Sequence, residues 1–183
     1  SDEFDSNQLK INFFIPTVLN DEKWEEESIS KYFLKKNGKN LITVNASSTL
    51  ITNNKDHAVV HLFNGKKEGE DFKGLRWATK DENKGYIELS FIEPIAANIL
   101  SLTPRYSKCI HQAPSNFKIY GGNNFDHLTL LGREFKDIKW TDSNTKNFLF
   151  NNLNEYSCYK IEFISESAGH VGLSELNLGE LSL

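Results

Sequence analysis

Ile87-Glu88-Leu89-Ser90-Phe91 and Lys160-Ile161-Glu162-Phe163-Ile164 decide the fold class. In both stretches apolar and polar residues alternate with a period of two. That pattern marks a strand with one face on a core and the other in water. Working outward, these stretches extend to runs over 86–91 and 158–164. Six more β-rich runs cover 41–44, 98–103, 116–120, 128–135, 146–150 and 172–178, separated by Gly, Asn, Asp and Ser turns. Eight short runs spaced in this way predict an all-β domain, a β-sandwich or jelly roll. No fixed-period repeat is present.

The N-terminal part reads differently. Residues 10–18 (KINFFIPTV) are apolar and β-rich, and Pro16 limits the run to a short strand or extended segment. From Asp21 the acids Asp21, Glu22, Glu25, Glu26 and Glu27 cluster around Trp24, and Trp24, Ile29 and Phe33 recur at roughly helical spacing. Lys35, Lys36 and Gly38 come after them. Acids first, lysines last and a terminal glycine predict a helix here, with a strand over 29–34 as the competing reading. Residues 54–84 carry little periodicity, as expected of a long structured loop with a functional or ion-organising role.

The chain has 183 residues and 20.9 kDa, with 38% hydrophobic and 25% charged residues, enough for one domain with a core. No apolar run approaches the length of a membrane span. A net charge of −4 and a pI of about 5.8 argue against nucleic acid as a partner. The sequence contains no Met, even at position 1, which suggests a chain processed from a longer precursor. There is no GxSxG elbow, HExxH, P-loop or GxGxxG, so the chain is read as a non-enzyme. His57 and His61 share an i, i+4 spacing but lack an evident third ligand.

The order of several short pieces resembles discoidin-like domains, also called coagulation factor 5/8 type C domains or family 32 carbohydrate-binding modules. Asn45-Ala46-Ser47-Ser48, Leu62-Phe63-Asn64-Gly65, Arg76-Trp77-Ala78-Thr79 and Gly85-Tyr86-Ile87-Glu88-Leu89 resemble the family's opening. Leu100-Ser101-Leu102-Thr103-Pro104-Arg105, Asn116 to Asn124, Tyr156 to Ile161 and Gly172-Leu173-Ser174-Glu175-Leu176 resemble its second half. The resemblance implies a galactose-binding-like jelly-roll domain over 40–183, preceded by a leader or extension over 1–39. It also implies that Trp77 closes the core. The start SDEFDS resembles the acidic tract behind the lipid-bearing Cys of surface lipoproteins in Bacteroides-type bacteria, although a cloning-derived leader accounts for the same letters.

The resemblance further implies a structural Ca2+, held by Glu175 and the 63–71 loop, where Asn64 stands in place of the family's usual Asp and Asp71 or Glu70 offers a compensating carboxylate. The glycan-binding candidates it implies are Arg105, whose guanidinium fork can grip adjacent hydroxyls, Tyr106 as a stacking face, and His111, Gln112 and His170 as hydroxyl partners. Pairing of Cys109 with Cys158 is left open beside two separate thiols. The function expected is non-catalytic capture of a glycan, of galactose or N-acetylhexosamine type, through loops at one end of the sandwich. The chain would be exported to the cell surface or periplasm, lipid-anchored in its precursor. The alternative is a protein–protein or adhesion module on the same fold. The loops around 80–84 and 166–169 are polar, which argues against membrane insertion by the domain.

Overall fold

The computed structural model describes residues 10–18, 21–68 and 75–182. The acidic leader at 1–6, Glu70 and Asp71 lie outside them. Twelve strands run in chain order among the described residues: β1 (Lys10–Phe13), β2 (Glu22–Ser28), β3 (Lys31–Lys36), β4 (Lys39–Ala46), β5 (Trp77–Ala78), β6 (Lys84–Ile95), β7 (Ile99–Pro104), β8 (Pro114–Gly122), β9 (Thr129–Leu130), β10 (Lys146–Leu149), β11 (Tyr156–Ser165) and β12 (Gly172–Ser182). They form two antiparallel sheets. One has the order β1-β12-β7-β10 with β5 beside β12, and the other is β2-β3-β4-β6-β11-β8-β9.

The alternating pattern explains this layering. Ile87 and Leu89 of β6, and Ile161 and Phe163 of β11, turn inward and are buried, while Tyr86, Glu88, Lys160 and Glu162 face out. The core between the sheets includes Trp77, Phe117, Phe163 and Tyr159, with Phe117 stacked on Phe135 at 4.6 Å between centroids. Trp77 is fully buried, and its indole N–H donates to Ser48 O at 3.1 Å. No helix among the described residues is long and apolar enough to cross a membrane.

The helix expected after Asp21 is instead the β2–β3 hairpin, joined to β4 in the large sheet. The charges that suggested a helix dipole are ion pairs between the arms of the hairpin: Glu25 with Lys35 at 3.2 Å, Asp21 with Lys36 at 3.6 Å, and Glu27 with Lys31 at 3.3 Å. Tyr32 and Leu34 alternate inward, and Trp24 stacks on Phe63 at 5.3 Å. Gly38, read as a helix stop, sits with Asn37 in a tight turn where both have positive φ (77° and 51°), the geometry that favours Asn-Gly hairpins. The expected boundary at 39/40 falls within the first residues of β4, in a sheet that β2 and β3 continue. The run at 128–135 forms only two residues of strand, because Gly132 turns the chain at φ 69° and Phe135 keeps a single bridge to Phe117.

Candidate functional site

Strand register gathers several loops at one end of the sandwich. Leu173 pairs with Pro104 and Gly172 with Ala78, so the segments after β5 and β7 and before β12 emerge together. In the other sheet Ile164 pairs with Lys84 and Ser165 with Pro114, which adds the segments before β6 and β8 and after β11. Between β7 and β8 lies a 3-10 turn, Ser107–Gln112.

Arg105 lies at the base of this end, but its fork is turned inward, not toward a ligand. It is only 6% exposed. Nε donates to Glu68 Oε1 at 3.0 Å, Nη2 to Glu68 Oε2 at 3.5 Å, and Nη1 to Gln112 Oε1 at 3.0 Å. Glu68 is fully buried, and it also accepts the Tyr106 backbone N–H at 3.2 Å and lies 3.4 Å from Arg76 Nε. A buried carboxylate needs such partners, since desolvating an unpaired charge costs several kcal/mol. Glu68 escaped the sequence reading because its partner Arg105 is 37 residues away, with no local spacing to signal the pair.

The network continues through Arg76 to His57 and Asp56. Arg76 Nε donates to His57 Nε2 at 3.1 Å, and His57 Nδ1 donates to Asp56 Oδ1 at 2.9 Å. Burial, then the Arg76 charge, push the His57 imidazole down to about 4, so it is neutral at pH 7, as an acceptor at Nε2 must be. Burial alone would raise the Asp56 carboxyl. Its bonds and attraction to Thr52, His57 and Arg76 hold it below the usual range. His61 Nε2 bonds instead to Lys55 O at 2.9 Å, so His57 and His61 do not act as a ligand pair.

The remaining predicted contact residues sit around this base. Tyr106 is half-buried with the Arg105 guanidinium 5.9 Å from its ring centroid, and His111 is exposed on the 3-10 turn. His170 is half-buried and bonds through Nδ1 to Thr79 O at 2.7 Å, which leaves Nε2 as an acceptor. Gly172 locks the two loops together. A Cβ there would run into Gln112 Oε1 and approach Arg105 Cδ to 3.0 Å, so only glycine lets β12 start this close. The buried pair Arg105 and Gln112 positions the loop that carries Tyr106 and His111.

Glu175 lies elsewhere, in a cavity of about 310 Å³ shared with Gly65, Thr17, Ser101, Thr103 and Thr145. Its Oε1 is buried without a hydrogen-bond partner, and burial raises its pKa against a smaller opposing effect of Lys67. The other walls are the apolar Phe13, Ile15, Leu62, Phe63 and Leu176, and the Thr103 and Thr145 hydroxyls bond each other at 2.6 Å, so the orphaned oxygen offers one ligand to a hard cation such as Ca2+ and few others are at hand. Asn64 is next in the chain to the wall residue Phe63, but its Oδ1 already accepts the Lys66 N–H at 2.7 Å. Among the described residues no three His, Cys, Asp or Glu side chains cluster as a metal site, so most ligands would be neutral oxygens.

Cys109 and Cys158 are both free. β7 and β11 belong to different sheets. Cys158 sits seven residues along β11 from Ser165, the partner of Pro114, just past the turn that carries Cys109. At about 3.3 Å per residue the two thiols are far beyond disulfide reach.

No family model matches the sequence, and no curated protein does. Solved structures do match. The F5/8 type C domain of a Bacteroides fragilis protein aligns over 90% of this chain and 100% of its own, with a TM-score of 0.64 and 10% identity. This chain has the discoidin-like fold. The carbohydrate-binding module CpGH89CBM32-5 of Clostridium perfringens, solved with GalNAc-β-1,3-galactose, aligns over 75% of this chain and 94% of its own, at TM-score 0.60 and 18% identity. The family 32 module of Clostridium perfringens NanJ, solved with galactose, aligns over 76% and 93%, at TM-score 0.58 and 18% identity. The β-sandwich expected from the alternating runs is therefore a galactose-binding-like one.

Proposed function

We propose that this chain is a non-catalytic carbohydrate-binding module that takes a glycan at the loop end. The observation that carries this reading is the locked base. Glu68, Arg105 and Gln112, with Gly172 packed against them, fix the 105–112 loop beside the start of β12. Tyr106, His111 and His170 then present an aromatic body and imidazoles from loops that need little ordering on binding, which lowers the entropic cost. The likeness in fold to modules solved with galactose and GalNAc-β-1,3-galactose supports a sugar as the ligand class.

In this proposal Ca2+ is a structural partner. It would be held by the Glu175 carboxylate and oxygens of the 64–65 loop, tying β12 to a segment with few apolar anchors. Export to the cell surface or periplasm, with a lipid anchor in the precursor, completes the reading. It rests on the resemblance of the acidic start to surface lipoproteins, and palmitate labelling of the native protein tests it.

Calorimetric titration with galactose and GalNAc-β-1,3-galactose tests the function. The expected result is saturable binding, weakened about tenfold by His111→Ala, the loss of one or two hydrogen bonds to a sugar. Folded, Ca2+-supplemented protein that binds neither sugar at millimolar concentration would sink the proposal.

A further inference from the structure

The outer face of the large sheet carries a cleft of about 460 Å³, a volume in the range of ligand pockets. Strand register lays out its floor in two rows. Lys84, Ile164 and Asn116 sit side by side on β6, β11 and β8, and Tyr86, Glu162 and Lys118 form the next row. Their neighbours along each strand, including Ile87, Ile161, Phe163 and Phe117, are buried in the core, so these six face outward. Glu82 and Glu134 complete the rim.

The surface is part apolar. Ile164, at the centre of its row, is 47% exposed, which is unusual for an isoleucine flanked on both sides by paired strands. Beside it the Tyr86 ring is held by the Lys160 ammonium, 4.3 Å from its centroid. Polar groups of both kinds surround this patch. Glu82, Glu134 and Glu162 supply acceptors beside the single partner each already has (the Ser48 hydroxyl at 3.2 Å, Lys136 at 3.6 Å and the Tyr120 hydroxyl), and Lys84, Lys118 and the Asn116 amide supply donors. Among the described residues no ion pair joins the cleft carboxylates to Lys84 or Lys118. Glu162 and Glu134 lie near enough to Tyr120, which pairs with Lys160 in the row beyond Lys118, to help burial raise its hydroxyl pKa.

This mixture selects a ligand class. A simple anion would meet three carboxylates, and a simple cation would meet two ammonium groups. A neutral sugar satisfies both sets, because each hydroxyl donates and accepts at once, while its C–H face covers Ile164 and Tyr86. The cleft crosses three strands, about 10 Å, and runs down the open sheet face from the strand ends at Lys84, Ile164 and Asn116, with Glu82 of the segment before β6 on its rim. It is therefore suited to a run of sugars within a chain.

We propose that this sheet-face cleft, which adjoins the loop end but shares no contact residue with it, is a second carbohydrate site that binds internal residues of a neutral oligosaccharide. It does not depend on the loop-end reading, since it shares none of Tyr106, His111 and His170.

The test is an amide NMR titration of the whole chain with four probes: cellohexaose, β-1,4-galactotetraose, the glucosamine hexamer and tetragalacturonate. At least one neutral probe is expected to shift Lys84, Tyr86, Lys118 and Glu162, and the corresponding monosaccharide is expected to bind more weakly. Lys118→Ala combined with Glu162→Gln should weaken that binding at least about tenfold. The variant keeps its fold if its melting curve matches the wild type, and Lys84→Ala serves as the second variant if it does not. His111→Ala should leave the cleft shifts intact. Shifts produced only by the charged probes, no cleft shift with any probe, or cleft binding indifferent to both variants would each overturn the proposal.

Discussion

Two carboxylates near the same long loop differ in what surrounds them. Glu68 is fully buried and bonded to Arg105, Arg76 and the Tyr106 N–H. Glu175 is half-buried, and one of its oxygens has no partner. The first region is complete in itself and acts as a keystone. The second is incomplete, with a raised pKa that reflects burial without compensation. Among buried acids, completeness of partners separates a structural role from a site that gains by binding a cation.

The largest effect should come from breaking the complete region. Glu68→Ala leaves Arg105 buried and unpaired, and should cost about 3–5 kcal/mol in denaturant unfolding. A loss below about 1 kcal/mol would show that the Arg105 cluster is solvated in solution and would erase the contrast with Glu175.

Acid should weaken the same region next. The His57 pKa is depressed in the folded state, so its contribution is complete above the ordinary value near 6.5 and is lost as pH falls toward about 4. Melting measured across that window should show a decline worth roughly 2–3 kcal/mol from this group, and His57→Gln should flatten it. An equal slope in both proteins would place the proton elsewhere.

Glu175 has the opposite sign. A carboxylate raised by burial destabilises the cation-free fold once ionised, so stability falls as pH rises from its unfolded value through its folded one. Glu175→Gln should therefore stabilise chelator-treated protein at neutral pH and remove the rise in melting temperature that Ca2+ gives the wild type. At about 100 times its dissociation constant, Ca2+ would add about 2.7 kcal/mol. Wild-type melting that is the same with Ca2+ and with chelator would show that Glu175 keeps its orphan oxygen without a cation.

The smallest effect belongs to the exposed hairpin pairs. Lys35→Ala removes a 3.2 Å contact to Glu25 that is open to solvent, and should cost no more than about 0.5 kcal/mol. A loss of several kcal/mol would mean that surface pairs rival the buried cluster.

Much of the fold was legible because one rule covers it. A period of two in 87–91 and 160–164 leaves only a half-buried strand, and the structure makes these β6 and β11. The β2–β3 segment misled because charge order is ambiguous. Acids ahead of lysines complement a helix dipole, and they equally match across a hairpin. Asn37-Gly38 and the alternation of Tyr32 with Leu34 were the deciding signals. The site was less legible. Arg105 and Gln112 were located correctly in the loop after β7, but their direction depends on Glu68, whose contact is made only by folding. Cys109 and Cys158 are distant because β7 and β11 fall in different sheets, which no local pattern reveals.

The central proposal is that the loop end, held on its buried base, takes a sugar. An amide NMR titration with GalNAc-β-1,3-galactose tests it most directly. Saturable shifts are expected at Tyr106, His111 and His170, with Glu68 and His57 unmoved beneath them. Shifts confined to the opposite end, around 123–127 and 150–155, or no shift anywhere in folded protein, would contradict it.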